Sequence, residues 1–320
     1  MQVAEDIYQL QLPLPFPLRI VNCYLLRDGD GWTVVDTGLN YEPSQAAWSA
    51  ALERLAIRPE AIKRIVLTHA HPDHYGMAGW LQARSGAPVL LSAAEQAFAQ
   101  AQWHEGAEAL QAIGDLFVRH GMPPQLLETI GRDIAALRLM THPVPRSTTV
   151  LDPDEELQIG RRRFVQIATP GHSAGHLALY CAEERLLLCG DTVLMKITPN
   201  IGRWPGGLAD PLDDFLRSLE RLARLDVALA LPGHGQVITA FQARLAELHD
   251  HHEQRLQAML QAVGAGATAY EVCCAVFPMH ELTTHQMRFA MAETLAHLEH
   301  LVMRGALGCE PGEPVRYRPL

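Results

Sequence analysis

His69-Ala70-His71-Pro72-Asp73-His74 places four potential metal ligands within six residues. The stretch follows Ile62-Lys63-Arg64-Ile65-Val66-Leu67, an apolar run that predicts a buried strand. The ligands therefore fall in the loop at the carboxyl end of that strand, where α/β proteins place their ligand sites. Neutral imidazoles and a carboxylate suit Zn(II), and also Fe(II) or Mn(II). The stretch predicts a metal site rather than a solvated histidine-rich loop.

Three further motifs repeat this pattern of a buried strand followed by a potential ligand. They are Gly171-His172 after residues 165–168, Gly190-Asp191 after residues 186–188, and Gly233-His234-Gly235 after residues 229–231. Four strand ends that offer ligands in succession indicate one shared site.

The remaining periodicity indicates a layered α/β fold. Residues 20–26 and 32–36 predict a hairpin, residues 44–55 a helix, and residues 62–67 the strand before the first motif. Further along, strands are predicted at 156–159, 164–169, 177–181, 186–188 and 227–231, with a helix at 213–225.

Residues 92–140 differ in composition from the segments around them. Alanine, glutamine and leucine dominate, and Gly121-Met122-Pro123-Pro124 interrupts them, so two or three helices are expected. We predict a helical insertion that lies over the site and outside the sheets. Four of its residues could line a pocket, although packing in the core is the better prediction for the aromatic ones: Trp103, His104, Phe117 and His120.

The last 80 residues form a second predicted unit. Helices are expected at 241–262, 268–276 and 284–304, followed by a hairpin that turns at residues 310–313, which is the outline of a winged helix. From residue 245 onward this unit has five arginines against nine carboxylates, which is unfavourable for reading DNA. We therefore predict a catalytic domain at 1–240 and a winged-helix-like module at 241–320 that serves packing or homodimer formation.

The composition excludes several classes of protein. A net charge of -10 over 320 residues argues against a nucleic-acid-binding surface. The six cysteines lack the spacing of a zinc ribbon or a disulfide scaffold, so we predict buried thiols in a reducing compartment. The first residues do not resemble a signal peptide and no apolar run is as long as a membrane span, which predicts a soluble cytoplasmic protein.

In order and approximate spacing, the four motifs resemble those of the metallo-β-lactamase superfamily, over roughly residues 1–240. The resemblance implies an αββα sandwich with a two-metal site at one edge. It assigns His69, His71 and His172 to the first ion, Asp73, His74 and His234 to the second, and Asp191 as the bridge. Asp36 matches a family position behind the metal loop, where it would orient a ligand. A carboxylate that caps the amides of a turn is an equally good interpretation of Asp36.

Two divalent cations, for which Zn(II) is the preferred prediction and Fe or Mn the alternatives, would lower the pKa of a water held between them. They would also polarise the carbonyl or phosphoryl oxygen of a substrate. A nucleophilic serine or cysteine is then not required. Asp73 could accept a hydrogen bond from the nucleophile, so Asp73 and Asp191 are the catalytic candidates.

Other histidines carry weaker predictions. His176 is expected to pack or to hydrogen-bond behind the ligands. His249, His251 and His252 are expected on a solvated helical face, although His251 or His252 could approach the mouth of the site. His285 and Arg288 share a predicted helical face and are candidates for substrate contact.

Several reactions use such a site. The favoured one is hydrolysis of a small ester or thioester, as in glyoxalase II-like proteins. Phosphodiester hydrolysis, as in the β-lactamase-like protein 2 group with its endoribonucleases, and lactone hydrolysis are the alternatives. An RNA groove or a glutathione site would need a basic cluster, which the sequence lacks. An iron-dependent oxidoreductase is less favoured, because the ligand set is full and no flavodoxin-like domain is present.

Overall fold

Two β-sheets face each other across an apolar layer, with helices on both outer surfaces. The computed structural model describes residues 1–105, 107–153 and 156–320. The first sheet has seven strands in sequence order: β1 (Gln2–Ala4), β2 (Ile7–Pro13), β3 (Ile20–Asp28), β4 (Gly31–Val35), β5 (Ile62–Val66), β6 (Val89–Ser92) and β7 (Thr148–Leu151). Strands β1 to β4 pair antiparallel, and β4 to β7 pair parallel.

The second sheet has five strands in the order β12, β11, β10, β9, β8. Their bounds are β8 (Glu156–Ile159), β9 (Arg162–Ala168), β10 (Leu177–Cys181), β11 (Leu186–Gly190) and β12 (Leu229–Pro232). Strands β11 and β12 pair parallel, and the other neighbours are antiparallel. The predicted strands of this half are confirmed, with ends that differ by one or two residues.

The alternation of side chains along β3 shows why the sandwich has four layers. Tyr24 and Leu26 point into the layer between the sheets, where they meet Phe164 and Leu188 of the second sheet. Val21, Cys23 and Leu25 pack in the opposite direction, against the outer helices. A strand buried on both faces is apolar throughout, which explains the near-continuous hydrophobic run at residues 20–26.

Within the described part of the first 240 residues, seven α-helices accompany the sheets: α1 (Glu42–Arg54), α2 (Pro72–Tyr75), α3 (Ala78–Ser85), α4 (Ala93–Ala99), α5 (Ala107–Arg119), α6 (Leu127–Leu139) and α7 (Pro211–Ala223). Trp48 of α1 is fully buried against the first sheet, and Phe215 of α7 is fully buried against the second. Each contributes about 2–3 kcal/mol through the apolar surface it removes from water. The predicted αββα arrangement is confirmed.

Helix starts are set by local sequence. Pro211 occupies the first turn of α7, and the Asp210 side chain accepts a hydrogen bond from the Asp213 amide. This cap moves the start of α7 two residues ahead of the predicted position. The helical character predicted for the insertion is confirmed in the described residues, where α4, α5 and α6 lie between β6 and β7.

The C-terminal segment contains α8 (Phe241–Val263), α9 (Ala269–Val276), α10 (Thr284–Met303) and a two-stranded sheet of β13 (Leu307–Glu310) and β14 (Arg316–Pro319). Capping boxes start α9 at Thr268 and α10 at Thr283. The predicted three helices and hairpin are confirmed, whereas their classification as a winged helix stays a prediction.

This C-terminal segment contacts the sandwich through ion pairs and a hydrogen bond as well as through apolar packing. Arg203 pairs with Glu299 at 2.8 Å, and Asp210 lies 2.9 Å from His300 Nδ1. The Tyr317 hydroxyl lies 3.1 Å from His120 Nδ1 of the insertion region. Helix α10 therefore contacts the long loop at residues 191–210, and β14 contacts the insertion.

Two expectations differ from the structure. Strands β1, β2, β6 and β7 were not predicted, and β1, β6 and β7 are only three or four residues long. Cys274 and Cys309 are exposed, so the prediction of buried thiols holds for only four of the six cysteines, none of which forms a disulfide. Trp103, Phe117 and His120 are buried, which confirms core packing, while His104 is exposed. None of the helices in the described ranges combines the length and the hydropathy that a membrane span requires.

Candidate metal centre

The loops that follow β5, β9, β11 and β12 meet at one edge of the sandwich. Backbone hydrogen bonds join them directly: the Gly233 amide donates to Gly190 O at 2.7 Å, and the Leu177 amide donates to Thr68 O at 2.9 Å. The structure brings together all seven side chains singled out as metal ligands, in three overlapping groups.

The first group is His69, His71 and His172, whose ligand nitrogens lie within 4.8 Å of one another. His71 Nδ1 lies 2.9 Å from His172 Nε2. The His69 ring centroid lies 4.6 Å from that of His71 and 5.0 Å from that of His172. Three imidazole nitrogens that converge in this way form one half of a candidate metal site.

The second group is Asp73, His74 and His234. His234 Nε2 lies 3.2 Å from Asp73 Oδ2 and 3.4 Å from His74 Nε2. Asp73 and His74 belong to α2, which begins with Pro72 directly after His71. The proline starts the helical turn immediately, so the motif divides its ligands between an extended strand end and a helix.

Asp191 lies between the two groups. Its Oδ2 is 3.2 Å from His234 Nε2, 3.5 Å from His74 Nε2 and 3.7 Å from His172 Nε2. It also forms the third group, together with His69 and His74. One carboxylate oxygen is thus within reach of ligands from both sides, as a bridging position requires.

Two buried atoms fit a site for cations. His69 Nε2 and Asp191 Oδ1 are both fully buried, and neither finds a hydrogen-bond partner among the described residues. An unpartnered buried acceptor costs about 1–3 kcal/mol, and a cation between the two groups would remove that cost. The donor set of imidazoles and carboxylates is the one that zinc, iron and manganese bind.

The electrostatics of the cluster agree with this fit. Burial would raise the pKa of Asp191, but the charges of His234 and His74 outweigh it and hold that pKa well below its usual value. Burial opposes protonation of His234, yet Asp191 and Asp73 raise its pKa to about 10. In the metal-free protein, protons on histidines supply the positive charge that the buried carboxylates require.

The first group behaves differently. Burial lowers the pKa of His69, His71 and His172, and neighbouring histidines lower it further for His69 and His71. All three are therefore neutral at physiological pH. The neutral imidazole is the form that donates a lone pair to a metal ion.

In His172 and His234, the ring nitrogen that faces away from the centre donates a hydrogen bond to a backbone carbonyl. His172 Nδ1 donates to Asn200 O at 2.9 Å, and His234 Nδ1 donates to Ile20 O at 2.7 Å. A proton held on Nδ1 leaves Nε2 free to face the centre, so these carbonyls fix both the tautomer and the ring orientation.

Asp36 is buried between the strand end at Thr68 and the His74 ring. Its Oδ1 accepts from the Thr68 amide at 2.8 Å, and its Oδ2 accepts from the Thr68 hydroxyl at 2.8 Å and lies 2.9 Å from His74 Nδ1. Asp36 itself has a positive φ of 59°. One buried carboxylate therefore ties the strand end before the metal loop to a candidate ligand.

Sequence reasoning missed Glu95. This fully buried carboxylate accepts from the Ala70 amide at 2.7 Å and from the Gly175 amide at 2.8 Å, and so joins the loop of His69 to the loop of His172. Burial raises its pKa. Its only sequence signal is the Ser92-x-x-Glu95 spacing of a capping box, which predicts a helix start and not a link between loops.

The insertion also reaches the metal loop. The Trp103 indole donates to Ala70 O at 2.8 Å, and the Phe98 ring lies 5.8 Å from that of His71. His176 is buried beside the centre, where its Nε2 accepts from the Asp191 amide at 3.1 Å. His176 thus positions the backbone of a candidate ligand.

Position 233 requires a glycine because the side chains of Asp191 and His74 leave no room for a Cβ atom. A Cβ there would overlap Asp191 Oδ1 and would lie 2.7 Å from His74 Cε1. The Gly-His-Gly motif therefore allows the backbone of the β12 loop to approach the ligands directly.

The prediction of a solvated histidine face on α8 is wrong for His252. This residue is buried, its ring lies 5.2 Å from that of Phe215, and its Nδ1 is 3.1 Å from His297 Nε2. His249 is exposed as expected, and His251 is half-buried. The long helix packs this face against α7 and α10, away from solvent.

Comparison with known proteins agrees with the geometry. The profile of the Metallo-beta-lactamase superfamily matches residues 16–234, and that of the Metallo-beta-lactamase-like, C-terminal domain matches residues 256–320. The crystal structure of the metallo-beta-lactamase family protein TTHA1429 from Thermus thermophilus is 38% identical, has a TM-score of 0.89, and covers 99% of this chain and 100% of its own. The probable metallo-hydrolase YqjP of Bacillus subtilis is 28% identical over 95% of this chain and 94% of its own.

Among the more distant matches, one is named as a thioesterase and one was solved in a di-iron-bound form. A beta-lactamase-like protein 2 homolog of Caenorhabditis elegans is 27% identical, over 78% of this chain and 68% of its own. The atrochrysone carboxyl ACP thioesterase of Aspergillus fumigatus is 25% identical, over 78% of this chain and 62% of its own. TTHA1623, solved in a di-iron-bound form, is 25% identical with a TM-score of 0.53, over 74% of this chain and 98% of its own.

The superfamily profile covers more than half of the chain, and the profile of the C-terminal domain matches most of the remainder. The chain belongs to the metallo-β-lactamase superfamily.

Proposed function

We propose that this protein is a metal-dependent hydrolase of small carboxylic esters or thioesters, with two divalent cations at the candidate centre. The observation that carries the proposal is the convergence of seven ligands in two groups with Asp191 between them. One ion would be held by His69, His71 and His172. The other would be held by Asp73, His74 and His234, and Asp191 would bind both. Zinc is the proposed metal, and iron or manganese would fit the same donors.

Bound cations would supply a water activated for attack and would stabilise the negative charge that develops on the substrate oxygen. The protein's own groups do the rest. Asp36 and Asn200 O keep protons on the remote nitrogens of His74 and His172, so that both rings face the centre. The Asp73 side chain is 17% exposed, against 8% for Asp191, so we propose that Asp73 faces the entering substrate and accepts a hydrogen bond from the attacking water.

The choice of an acyl substrate is supported by charge and by one relative. Residues 245–320 have five arginines and nine carboxylates, an acidic balance that does not suit the phosphate backbone of a nucleic acid. A fungal thioesterase is among the chain's relatives, although it is distant. Small-molecule ester or thioester hydrolysis therefore ranks above phosphodiester hydrolysis, and lactone hydrolysis stays the second alternative.

The domain assignment belongs to the same proposal. We propose that residues 1–240 are the catalytic domain, that 92–140 cover the site, and that 241–320 form a separate C-terminal module. Homodimer formation through that module and a cytoplasmic location stay predictions. Light scattering of the full-length chain, and of a variant with substitutions on the module's exposed face, tests the first of these.

The test of the proposed function has two parts. Elemental analysis of protein purified without added metal should find close to two transition-metal ions per chain, and removal of the metal should abolish turnover. A panel of aryl esters, acyl-CoA thioesters, lactones and bis-aryl phosphodiesters should show turnover of the esters and thioesters. Full activity of metal-free protein, or turnover of the phosphodiester alone, would show that the proposal is wrong.

Asp191→Asn provides the matched variant. The substitution is nearly isosteric and replaces one carboxylate oxygen by an amide nitrogen that cannot bind a cation. We expect turnover to fall by about 100-fold or more, with the thermal unfolding midpoint of the metal-free protein changed by only a few degrees. Unchanged turnover would refute the bridging position.

A further inference from the structure

The N-terminal half of α10 carries an aromatic frame beside the candidate centre. The His285 ring stacks on the Phe16 ring, with centroids 5.0 Å apart and planes inclined by 8°, and meets the Phe289 ring edge-on at 4.9 Å. The Trp204 ring lies 6.0 Å from that of Phe289. Residues from the hairpin loop, the loop after β11 and α10 thus form one wall.

Arg288 lies in this frame with its charge unpaired. Its guanidinium carbon is 4.6 Å from the Phe289 ring centroid and 5.6 Å from that of Trp204. Within the described residues Arg288 forms neither a hydrogen bond nor an ion pair. Aromatic contacts use the face of a guanidinium, whereas its five N–H donors lie in the plane and remain available to a ligand.

Arg288 is half-buried in this aromatic frame. Its side chain is partly exposed to solvent, yet burial lowers its pKa to about 10 against the opposing charge of Asp133 on α6. Burial likewise lowers the pKa of His285 to about 4. Arg255, in the same C-terminal segment, also stacks on an aromatic ring, but it has an ion-pair partner, Glu293 at 3.4 Å. Arg288 is half-buried and has no such ion pair among the described residues, so its N–H donors are available to a ligand.

The aromatic frame around Arg288 adjoins the candidate metal centre. Asp73 is close enough to act electrostatically on His285. Asn200 connects the two regions directly, since its carbonyl accepts from His172 and its side chain donates to Phe289 O at 3.2 Å. A group bound at Arg288 would therefore belong to a molecule whose other end reaches the candidate ligands.

We propose that Arg288, with His285 and the Trp204–Phe289 pair, forms a subsite for an anionic group on the substrate, a carboxylate or a phosphate. A carboxylate would take two N–H donors of the guanidinium side by side, and the aromatic rings would hold the apolar chain that joins it to the scissile bond. This inference rests on the proposed function and makes it specific: the natural ester or thioester carries a negative charge at one end.

Two esters that differ in charge test the subsite. The ratio of kcat/KM for mono-p-nitrophenyl glutarate to that for p-nitrophenyl butyrate should exceed one in the wild type. In Arg288→Gln this ratio should fall by about 10- to 100-fold, the range for a hydrogen bond to a charged group. A phosphate-terminated ester measured beside the glutarate ester tells which anion is preferred. Because a ratio cancels losses that affect both substrates equally, a purely structural role for Arg288 would not change it.

Arg84→Gln is the matched control, since Arg84 also stacks on a tryptophan, at 3.6 Å from the Trp80 ring centroid, but is exposed on α3. Its ratio should equal that of the wild type. Should Arg288→Gln not fold, Arg288→Lys keeps the charge without the paired donors and should show a smaller fall. A ratio of one in the wild type, or an unchanged ratio in the Arg288 variants, would overturn the subsite.

Failure of the proposed function has a different signature. If the metal-loaded wild type hydrolyses none of the esters, that function is wrong, and calorimetric binding of glutarate and of inorganic phosphate then decides the subsite. Affinity for either anion that falls at least tenfold in Arg288→Gln, and not in Arg84→Gln, supports the subsite without any turnover. Equal affinity in all three proteins overturns it.

Discussion

Asp36→Asn should weaken the second metal ion without removing the first. The carboxylate accepts from the Thr68 amide through Oδ1, while Oδ2 lies 2.9 Å from His74 Nδ1. If the asparagine oxygen keeps the Thr68 bond, its NH2 faces His74 Nδ1, which must then become an acceptor. The proton moves to His74 Nε2, the nitrogen that would bind the cation. The opposite amide orientation keeps the His74 bond but sets two donors against each other at Thr68.

In either orientation of the asparagine amide, Asp36→Asn loses one of two buried hydrogen bonds, the one to the Thr68 amide or the one to the His74 ring. Loss of such a partner costs about 10- to 100-fold in metal affinity, which corresponds to about 1.4–2.7 kcal/mol. Asp36 contacts His74 directly but reaches His69 of the first group only through the Thr68 hydroxyl, which lies 3.0 Å from His69 Nδ1, so the first site should lose less affinity than the second. Competition against a chromophoric chelator resolves the two dissociation constants.

Asp28→Asn is the control for this experiment. Asp28 is also a buried carboxylate that accepts from a threonine hydroxyl, Thr33 at 2.8 Å, and from a backbone amide, Gly160 at 2.9 Å, but it has no histidine beside it among the described residues. Both affinities should stay at the wild-type value in this variant. The reasoning about the tautomer is refuted if Asp36→Asn binds both ions as the wild type does, or if Asp28→Asn loses the same affinity.

Three more substitutions probe the supports of the site and the buried histidines. Gly233→Ala should displace Asp191, because the added Cβ overlaps Asp191 Oδ1. We expect both the metal content and the turnover to fall by about tenfold or more. Full metal loading of this variant would contradict the prediction. Glu95→Gln should lower the free energy of unfolding by about 1–3 kcal/mol in urea titrations. The glutamine side chain has one oxygen and can therefore accept from only one of the backbone amides of Ala70 and Gly175. An unchanged unfolding midpoint would be inconsistent with a link between the two loops. Burial lowers the pKa of His252 to about 2, so from that pH up to about 6.5 the unfolded chain binds the additional proton and stability rises with pH. His252→Phe should reduce this slope by up to about 1.4 kcal/mol per pH unit in urea titrations between pH 4.5 and 6.5; equal slopes would mean that His252 is not held neutral in the fold.

The chemical character of the site could be predicted because it depends on local features. A run of β-forming residues that ends in histidines places those ligands at a strand terminus, whatever the rest of the chain does. The prolines and glycines beside the ligands likewise act locally, since Pro72 starts α2 directly after His71. Strand and helix periodicity therefore sufficed to predict the layered fold and the order of the four loops, and the resemblance to the superfamily implied how the seven candidate ligands are grouped.

Contacts between distant parts of the chain could not be predicted in this way. Glu95 joins two loops whose contacting amides, Ala70 and Gly175, are 105 positions apart in the sequence. His252 has the sequence context of a solvated helix, yet the packing of α8 against α7 and α10 buries it.

The same limit applies to the proposed substrate subsite. The spacing of His285 and Arg288 placed them on one helical face, but only the tertiary structure brings Trp204 and Phe289 to Arg288 and leaves it without a close ion pair among the described residues. The sequence by itself determined which atoms can bind metal, because ligand chemistry and strand ends are local properties. Which groups hold those ligands in place, and which face a substrate, was decided only by folding, because burial and pairing arise from residues that are far apart along the chain.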